Sequence, residues 1–169
     1  MDPIAIYEDL KEKIIWLEHK PESTFNLTEL AEHYGVSRNP ITLALTRLDA
    51  EDWVARHGSH FVVSPLSLTR IREITEIRSL MEIQAYIWAL RRITPEEIDE
   101  VGKLKKEIRK LGKSATNQEI VRLDLKFHRL LYQAAKNNEL SQLLERLLCH
   151  YLRFWLSIPR KIDRESFFR

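Results

Sequence analysis

Two groups of residues in this 169-residue chain combine types and spacings that could do chemistry. The first lies between Ser37 and Arg47. Read as a helix, the stretch turns Ile41, Ala44, Leu45 and Leu48 inward and leaves Ser37, Arg38, Asn39, Thr42, Thr46 and Arg47 outside. Hydroxyls, a carboxamide and guanidinium groups are the side chains that hydrogen-bond phosphate oxygens and base edges. Residues 37–48 contain two arginines and no acid, and residues 53–66, also free of acid, add Arg56, His57 and His60 around Gly58. The second group is Asp124 and His128. Four residues apart, they project from one side of a helix, among Ile120, Leu123, Phe127 and Leu131. A carboxylate and an imidazole on an apolar face need partners. The pair can satisfy itself by a hydrogen bond, or it can share a divalent metal ion. Arg78 sits close to the apolar stripe of an earlier helix, where an inward guanidinium requires an anion. Glu82, one turn on, supplies one as a plain ion pair, and a bound anionic ligand would supply another. His150, near the inward stripe of the last helix with Leu143, Leu147 and Phe154, is the remaining candidate ligand.

These side chains need elements to position them. Pro3 to Lys20 reads as an amphipathic helix, with Ile4, Tyr7, Leu10, Ile14 and Leu17 at helical spacing and Asp2 as its cap. Asn26 and Glu29 form a capping box for a short helix over 27–34, which Gly35-Val36 breaks. Ser37 caps a third helix running to about Asp52, with Pro40 tolerated in its first turn. Two β-prone runs, Trp53 to Arg56 and His60 to Val63, then flank His57-Gly58-Ser59 and predict a small hairpin. Helix, glycine turn, helix and hairpin together make a winged helix-turn-helix. From Ser67 onward only helical signals remain. A long helix spans 68–92, with Ile71, Ile74, Ile77, Met81, Ala85 and Trp88 on its inner side. Capping boxes at Thr94/Glu97 and Thr116/Glu119 open helices to about Leu111, ended by Gly112, and to Lys136. Asn137-Asn138 caps a last helix over 139–158, which Pro159 stops. The tail from Arg160 has no clear period. The expected fold is mainly α: an N-terminal winged helix-turn-helix of three helices plus a small β-hairpin over residues 1–66, then an all-α helical bundle over residues 67–169.

Composition narrows the function classes. Apolar residues make up 44% of the chain and charged residues 31%, which suits an ordinary globular protein. Only 4 glycines and 6 prolines speak for helices over loops and strands. The single Cys149 excludes an internal disulfide and a cysteine-rich zinc ribbon. No apolar run approaches the roughly 18 residues that span a membrane, and Met1-Asp2-Pro3 starts no signal-peptide pattern. A cytoplasmic protein with no membrane partner is expected. The net charge of +2 hides an asymmetry: residues 1–66 hold 6 Lys and Arg against 11 Asp and Glu, and residues 67–169 hold 21 against 14. The proposed DNA face is thus locally basic within an acidic domain, so few phosphate contacts are expected from each subunit.

Two strings go beyond pattern. Leu30-Ala31-Glu32-His33-Tyr34-Gly35-Val36-Ser37-Arg38-Asn39-Pro40-Ile41, continued by Ala44-Leu45-Thr46-Arg47-Leu48-Asp49-Ala50-Glu51 and by His57-Gly58, resembles the winged helix-turn-helix of the GntR family of bacterial transcription regulators. That resemblance implies that Ser37 and Arg38 contact DNA at the start of the recognition helix and that His57 and Gly58, at the wing tip, approach the minor groove. The chain departs from the family at three positions, where Thr42, Leu43 and Asp52 stand in place of the usual Arg, Glu and Gly. The loss of an arginine at position 42 alters the operator to be read. Further on, Glu76-Ile77-Arg78 with Met81-Glu82, then Leu123-Asp124-Leu125-Lys126-Phe127-His128 and Ala134-Ala135-Lys136-Asn137, resembles the FCD effector-binding domain of the FadR subfamily. By that resemblance Asp124 and His128 ligate a divalent metal such as zinc, nickel or manganese, and Arg78 holds a small carboxylate effector beside it. The family domain continues for two more helices that donate two further histidines, whereas this chain ends at Arg169. A natively short or truncated chain, with weak metal binding, is the expectation.

Three function classes compete. The leading one is a ligand-responsive transcription regulator that binds a pseudo-palindromic double-stranded DNA operator as a homodimer, since paired half-sites demand two-fold symmetry. A metal-dependent hydrolase built on Asp124 and His128 is the second, disfavoured because no nucleophile motif, HExxH or glycine-rich phosphate loop is present. A helical protein-interaction module is the third, and its partner-binding helix would show apolar anchors where Ser37 to Arg47 is polar.

Overall fold

The structure, a computed structural model, describes residues 1–111 and 115–158. They divide into two compact units, Met1–Ser67 and the chain from Leu68 onward. The first unit contains α1 (Pro3–Ile15), β1 (Thr24–Phe25), α2 (Leu27–Tyr34), α3 (Arg38–Ala50), β2 (Val54–His57) and β3 (His60–Val63). The second contains α4 (Leu68–Arg92), α5 (Pro95–Lys110), α6 (Asn117–Ala134) and α7 (Asn138–Ser157). The expected fold class is what the structure shows: mainly α, a winged helix-turn-helix followed by a helical bundle.

In the first unit, α1 packs chiefly on α3. Ile6, Tyr7, Leu10 and Ile14 meet Ile41, Ala44, Leu45 and Leu48 in a core completed by Trp53, Phe61 and Val63. Helix α1 stops at Ile15, not Lys20. Leu17 adopts φ 61°, and the Glu18 and Leu17 amides turn back to the carbonyls of Lys13 and Ile14. That is a Schellman closure with leucine in the place glycine usually takes, so the sequence carries no stop signal there. Helix α3 likewise stops at Ala50, where Asp52 takes φ 62° and the Trp53 amide donates to the Leu48 carbonyl. This is where the family usually has Gly, and aspartate is among the few side chains that tolerate the left-handed region. Gly35, at φ 63°, makes the turn between α2 and α3. Ser37 holds the N-cap position of α3, but its side chain caps no backbone amide. The hairpin gains a third strand, giving the antiparallel order β1-β3-β2, with Phe25 opposite Phe61 and His57 opposite His60. Two residues of β1 are too few to show an alternating pattern in sequence.

In the second unit, α6 packs on α4, α5 and α7, and α4 also packs on α7. Both capping boxes form: Thr94 with Glu97 and Thr116 with Glu119. Asn137 accepts the Leu140 amide as the N-cap of α7. The core holds Ile74, Ala85, Ala89, Leu104, Ile120, Val121, Leu125, Tyr132, Leu144, Leu148 and Leu152. Two stripe assignments need correction. Ile77 is 51% exposed, because the inner face of α4 runs through Ile74, Arg78, Ala85 and Ala89. Leu143 is also exposed, and α7 points Leu144, Leu148 and Leu152 inward instead. The expected terminators Gly112 and Pro159, and the tail from Arg160, lie outside the described residues.

Candidate nucleic-acid interface and buried polar site

The exposed face of α3 opposes its buried stripe of Ile41, Ala44, Leu45 and Leu48. Ser37, Arg38, Asn39, Thr46 and Arg47 are all exposed, and Thr42 is half-buried. The Arg38 guanidinium donates to the Thr28 hydroxyl at 2.7 Å, which orients it across the turn between α2 and α3. The first-turn amides of α3 have no intrahelical partners, and helix N-termini favour anions such as phosphate. Not every expected reader is free to read. The Thr42 hydroxyl donates to the Arg38 carbonyl at 3.0 Å. Arg47 lies 4.0 Å from the Tyr7 ring centroid and 3.8 Å from the Glu51 carboxylate, so it leans along the domain rather than outward. Leu43 is 53% exposed between Asn39 and Thr46. It is an apolar group in the centre of the reading face, visible beforehand only as a departure from the family string.

On the wing, Gly58 takes φ 61° at the tip, and His57 and His60 stand exposed as cross-strand neighbours. Arg56 folds back on its own hairpin: its Nε donates to the Gly58 carbonyl at 3.1 Å and its guanidinium lies 5.6 Å from the Phe61 ring. The Arg56 amide donates to the Asp49 carboxylate at 3.0 Å, tying the wing to the end of α3.

Glu51 anchors this arrangement from behind. It accepts hydrogen bonds from the Tyr7 hydroxyl at 2.7 Å, Lys11 Nζ at 2.9 Å and the Trp53 indole at 3.2 Å, joining α1 to the segment between α3 and β2. Burial pushes its carboxyl pKa up, but the bonds from Tyr7 and Lys11 outweigh burial and hold it below the ordinary value. Tyr7 and Lys11 lie 44 and 40 positions away in sequence, so no local pattern marks the site they make with Glu51.

In the second unit the expected residues do converge. Arg78, 6% exposed, donates to Glu82 Oε1 at 2.7 Å and lies 4.5 Å from the Tyr151 ring centroid. The same Glu82 oxygen accepts the Tyr132 hydroxyl. His128 Nδ1 shares a 2.8 Å hydrogen bond with the Tyr86 hydroxyl and stands 3.5 Å from Glu82, while its Nε2 is 3.6 Å from Asp124 Oδ1. The arrangement is a continuous polar seam between α4 and α6. Burial raises the Asp124 pKa to about 6, against the pull of Arg78 and with the repulsion of Glu82. Burial also depresses His128 and raises both tyrosines. Tyr86 and Tyr132 were missed from sequence. Tyr132 continues the four-residue spacing of Asp124 and His128, a signal that reading the helix face one turn further would have caught.

The implied metal finds an incomplete donor set. At 3.6 Å apart, Asp124 and His128 suit a shared ion. Among the described residues, however, no group of three or more His, Cys, Asp or Glu side chains is placed to hold one. Glu82 is engaged by Arg78 and Tyr132, and His150 is buried on α7 outside any such group.

The chain joins in sequence a winged helix-turn-helix and a helical bundle that carries a polar seam of Arg78, Glu82, Tyr86, Asp124, His128 and Tyr132. Residues 4–62 match the family described as bacterial regulatory proteins, gntR family, and residues 73–168 match the FCD domain. The chain belongs to the GntR family of bacterial transcription regulators, with an FCD domain, as in the FadR-type architecture. It is 32% identical to the HTH-type transcriptional regulator YdhC of Bacillus subtilis over 154 residues, covering 89% of this chain and 69% of that protein. It is 23% identical to the HTH-type transcriptional regulator McbR of Escherichia coli, covering 85% of this chain and 66% of that protein. Among solved structures, E. coli McbR/YncC superposes with a TM-score of 0.84 at 22% identity, over 98% of this chain and 81% of that one. A GntR regulator from Rhodococcus sp. RHA1 gives 0.68 at 16% identity, over 98% and 81%. The chain thus spans about two thirds of the length of the sequence relatives it matches. It is a DNA-binding regulator and not an enzyme, so the hydrolase alternative is set aside. No helix among the described residues is long and apolar enough to cross a membrane.

Proposed function

We propose that this regulator acts in the cytoplasm as a homodimer on a pseudo-palindromic operator, and that residues from 67 onward sense a small carboxylate at the seam around Arg78. The exposed, acid-free face of α3, with Arg38 oriented by Thr28, supports the DNA reading most directly. Ser37, Arg38, Asn39 and Thr46 are the readers, with His57 and Gly58 at the wing. Thr42, Arg47 and Arg56 act mainly by holding helix and wing in place.

The effector assignment follows from Arg78. A buried guanidinium requires an anion, and Glu82 supplies one internally. A ligand carboxylate competes with Glu82 for that guanidinium, and the freed Glu82 then disturbs Tyr132 and His128, linking α4 to α6. Asp124 and His128 lie close enough to hold a divalent ion beside it, completed by water or by the effector. The test is selection from a randomised duplex pool with the full chain. Two inverted half-sites about one helical turn apart are expected, and no enriched sequence, or a single asymmetric site, would refute the reading.

A further inference from the structure

The wing ends in two histidines that face each other across its turn. His57 closes β2, His60 opens β3, and the two are direct partners in the antiparallel register. Gly58, at φ 61°, starts the two-residue turn between them, a position that tight hairpins give to glycine. Directly opposed residues project from one face of a sheet, with Cβ atoms about 5 Å apart. Val54, Phe61 and Val63 are buried on the other face. Arg56, paired with Phe61, lies on that face too, with its guanidinium against the Phe61 ring. The two imidazoles therefore share the outer face, and both are exposed. Nitrogens bound to one metal ion at about 2.0–2.1 Å stand roughly 3 Å apart. Exposed rings on a base about 5 Å wide reach that separation by side-chain rotation. An imidazole pair selects borderline ions such as copper, nickel and zinc over magnesium or calcium.

We infer that His57 and His60 together hold an exchangeable divalent transition ion at the wing tip, and that this ion carries a contact to a DNA phosphate. The second half rests on the reading of the wing as a DNA contact. Among the described residues no group of three or more His, Cys, Asp or Glu side chains is placed to hold a metal. The pair thus supplies two bonds and leaves the other coordination positions to water or to a phosphate oxygen. Residues 1–66 carry 6 Lys and Arg against 11 Asp and Glu, an imbalance that attracts cations. Arg56 is folded back on its own hairpin, with its Nε on the Gly58 carbonyl. A bound ion adds two positive charges on the outer face, which that arginine leaves to the histidines.

Nickel(II) is the probe, added to the untagged full chain in chelator-treated buffer. In amide NMR spectra it should broaden the signals around the Gly58 turn, while signals around Asp124 and His128 report separately on that pair. His57→Ala and His60→Ala should each weaken nickel binding at the turn roughly tenfold or more, since even the groups that only support a metal ligand are worth that much. Anisotropy titrations of the selected duplex, with and without nickel, then test the DNA contact. Nickel should tighten wild-type binding severalfold at low salt and steepen the salt slope by about 0.9 for each phosphate gained. His60→Ala should lose both responses. No nickel response at the turn overturns the inference, and so does a tightening that survives in His60→Ala, because it then comes from the bundle. Nickel bound at the turn with DNA affinity unchanged or lowered overturns the phosphate contact. In that case His57→Ala in metal-free buffer decides the wing reading by itself: reduced affinity keeps it, and unchanged affinity removes it.

Discussion

Replacing Glu51 by glutamine should loosen the whole DNA-reading unit without touching its reading face. The carboxylate accepts from Tyr7, Lys11 and Trp53. Glutamine can keep its oxygen toward Lys11 and the Trp53 indole, but it loses the negative charge that pairs with Lys11 and puts an NH2 where Oε1 accepted from Tyr7. A hydrogen bond to a charged group contributes about 1.5–3 kcal/mol. The side chain is 21% exposed, so water recovers part of the loss, and a net cost of about 2 kcal/mol is expected. A unit of this size carries only about 3–10 kcal/mol in total at 0.05–0.15 kcal/mol per residue. The loss is therefore visible in urea unfolding, and hydrogen exchange should place it in α1 and α3 rather than in the bundle. The pH dependence adds a second check. Because the folded pKa of Glu51 lies below the ordinary 4.5, its ionised form contributes stability above that pH, lost as pH falls through the folded value. Glu51→Gln should flatten that part of the acid limb. A variant within about 0.5 kcal/mol of the wild type, with an unchanged acid limb, would refute the reasoning.

On the reading face, Arg38→Ala should weaken operator binding by about 1–3 kcal/mol in an anisotropy titration if Arg38 reads a guanine edge. Leu43, 53% exposed on the outer face of α3, offers the kind of apolar contact a thymine methyl group takes. Exchanging operator thymines for deoxyuridine should therefore weaken the wild-type chain at one position and leave Leu43→Ser indifferent there. In the second unit, elemental analysis after dialysis should find less than one metal ion per chain, since two protein donors leave most of the coordination sphere to water. One tightly held ion per chain would point to a donor outside that pair, with His150 the first residue to replace.

What was legible in the sequence was local. The boxes at Thr94 and Thr116 and the turn at Gly35 depend on residues within four positions of one another, so the string alone specifies them. The ends of α1 and α3 were not legible, because Leu17 and Asp52 do the work of glycine and neither residue type announces a left-handed turn. The i,i+4 pairing of Asp124 with His128 and of Arg78 with Glu82 was visible. That the two pairs meet was implied only by the family resemblance and not by spacing, since Tyr86, Tyr132 and Glu82 join them across α4 and α6. Thr42 and Arg47 looked like readers because they fall outward on a helical wheel. The wheel shows neither the Arg38 carbonyl that takes the Thr42 hydroxyl nor the Tyr7 ring and Glu51 carboxylate that draw Arg47 aside. The apolar outer stripe of α4 was misread in part, with Ile77 placed inside, because a helix with apolar residues on two faces does not declare which one meets its own bundle.

The most direct measurement is the affinity of the full chain for its selected duplex and for a scrambled duplex of equal length, each taken across a range of salt. Binding to the selected site should be roughly a thousandfold or more tighter than to the scrambled one. The salt slope for the selected site should be modest, reflecting the few basic groups on α3 and the wing. Equal affinity for the two duplexes at every salt concentration would contradict sequence-specific reading.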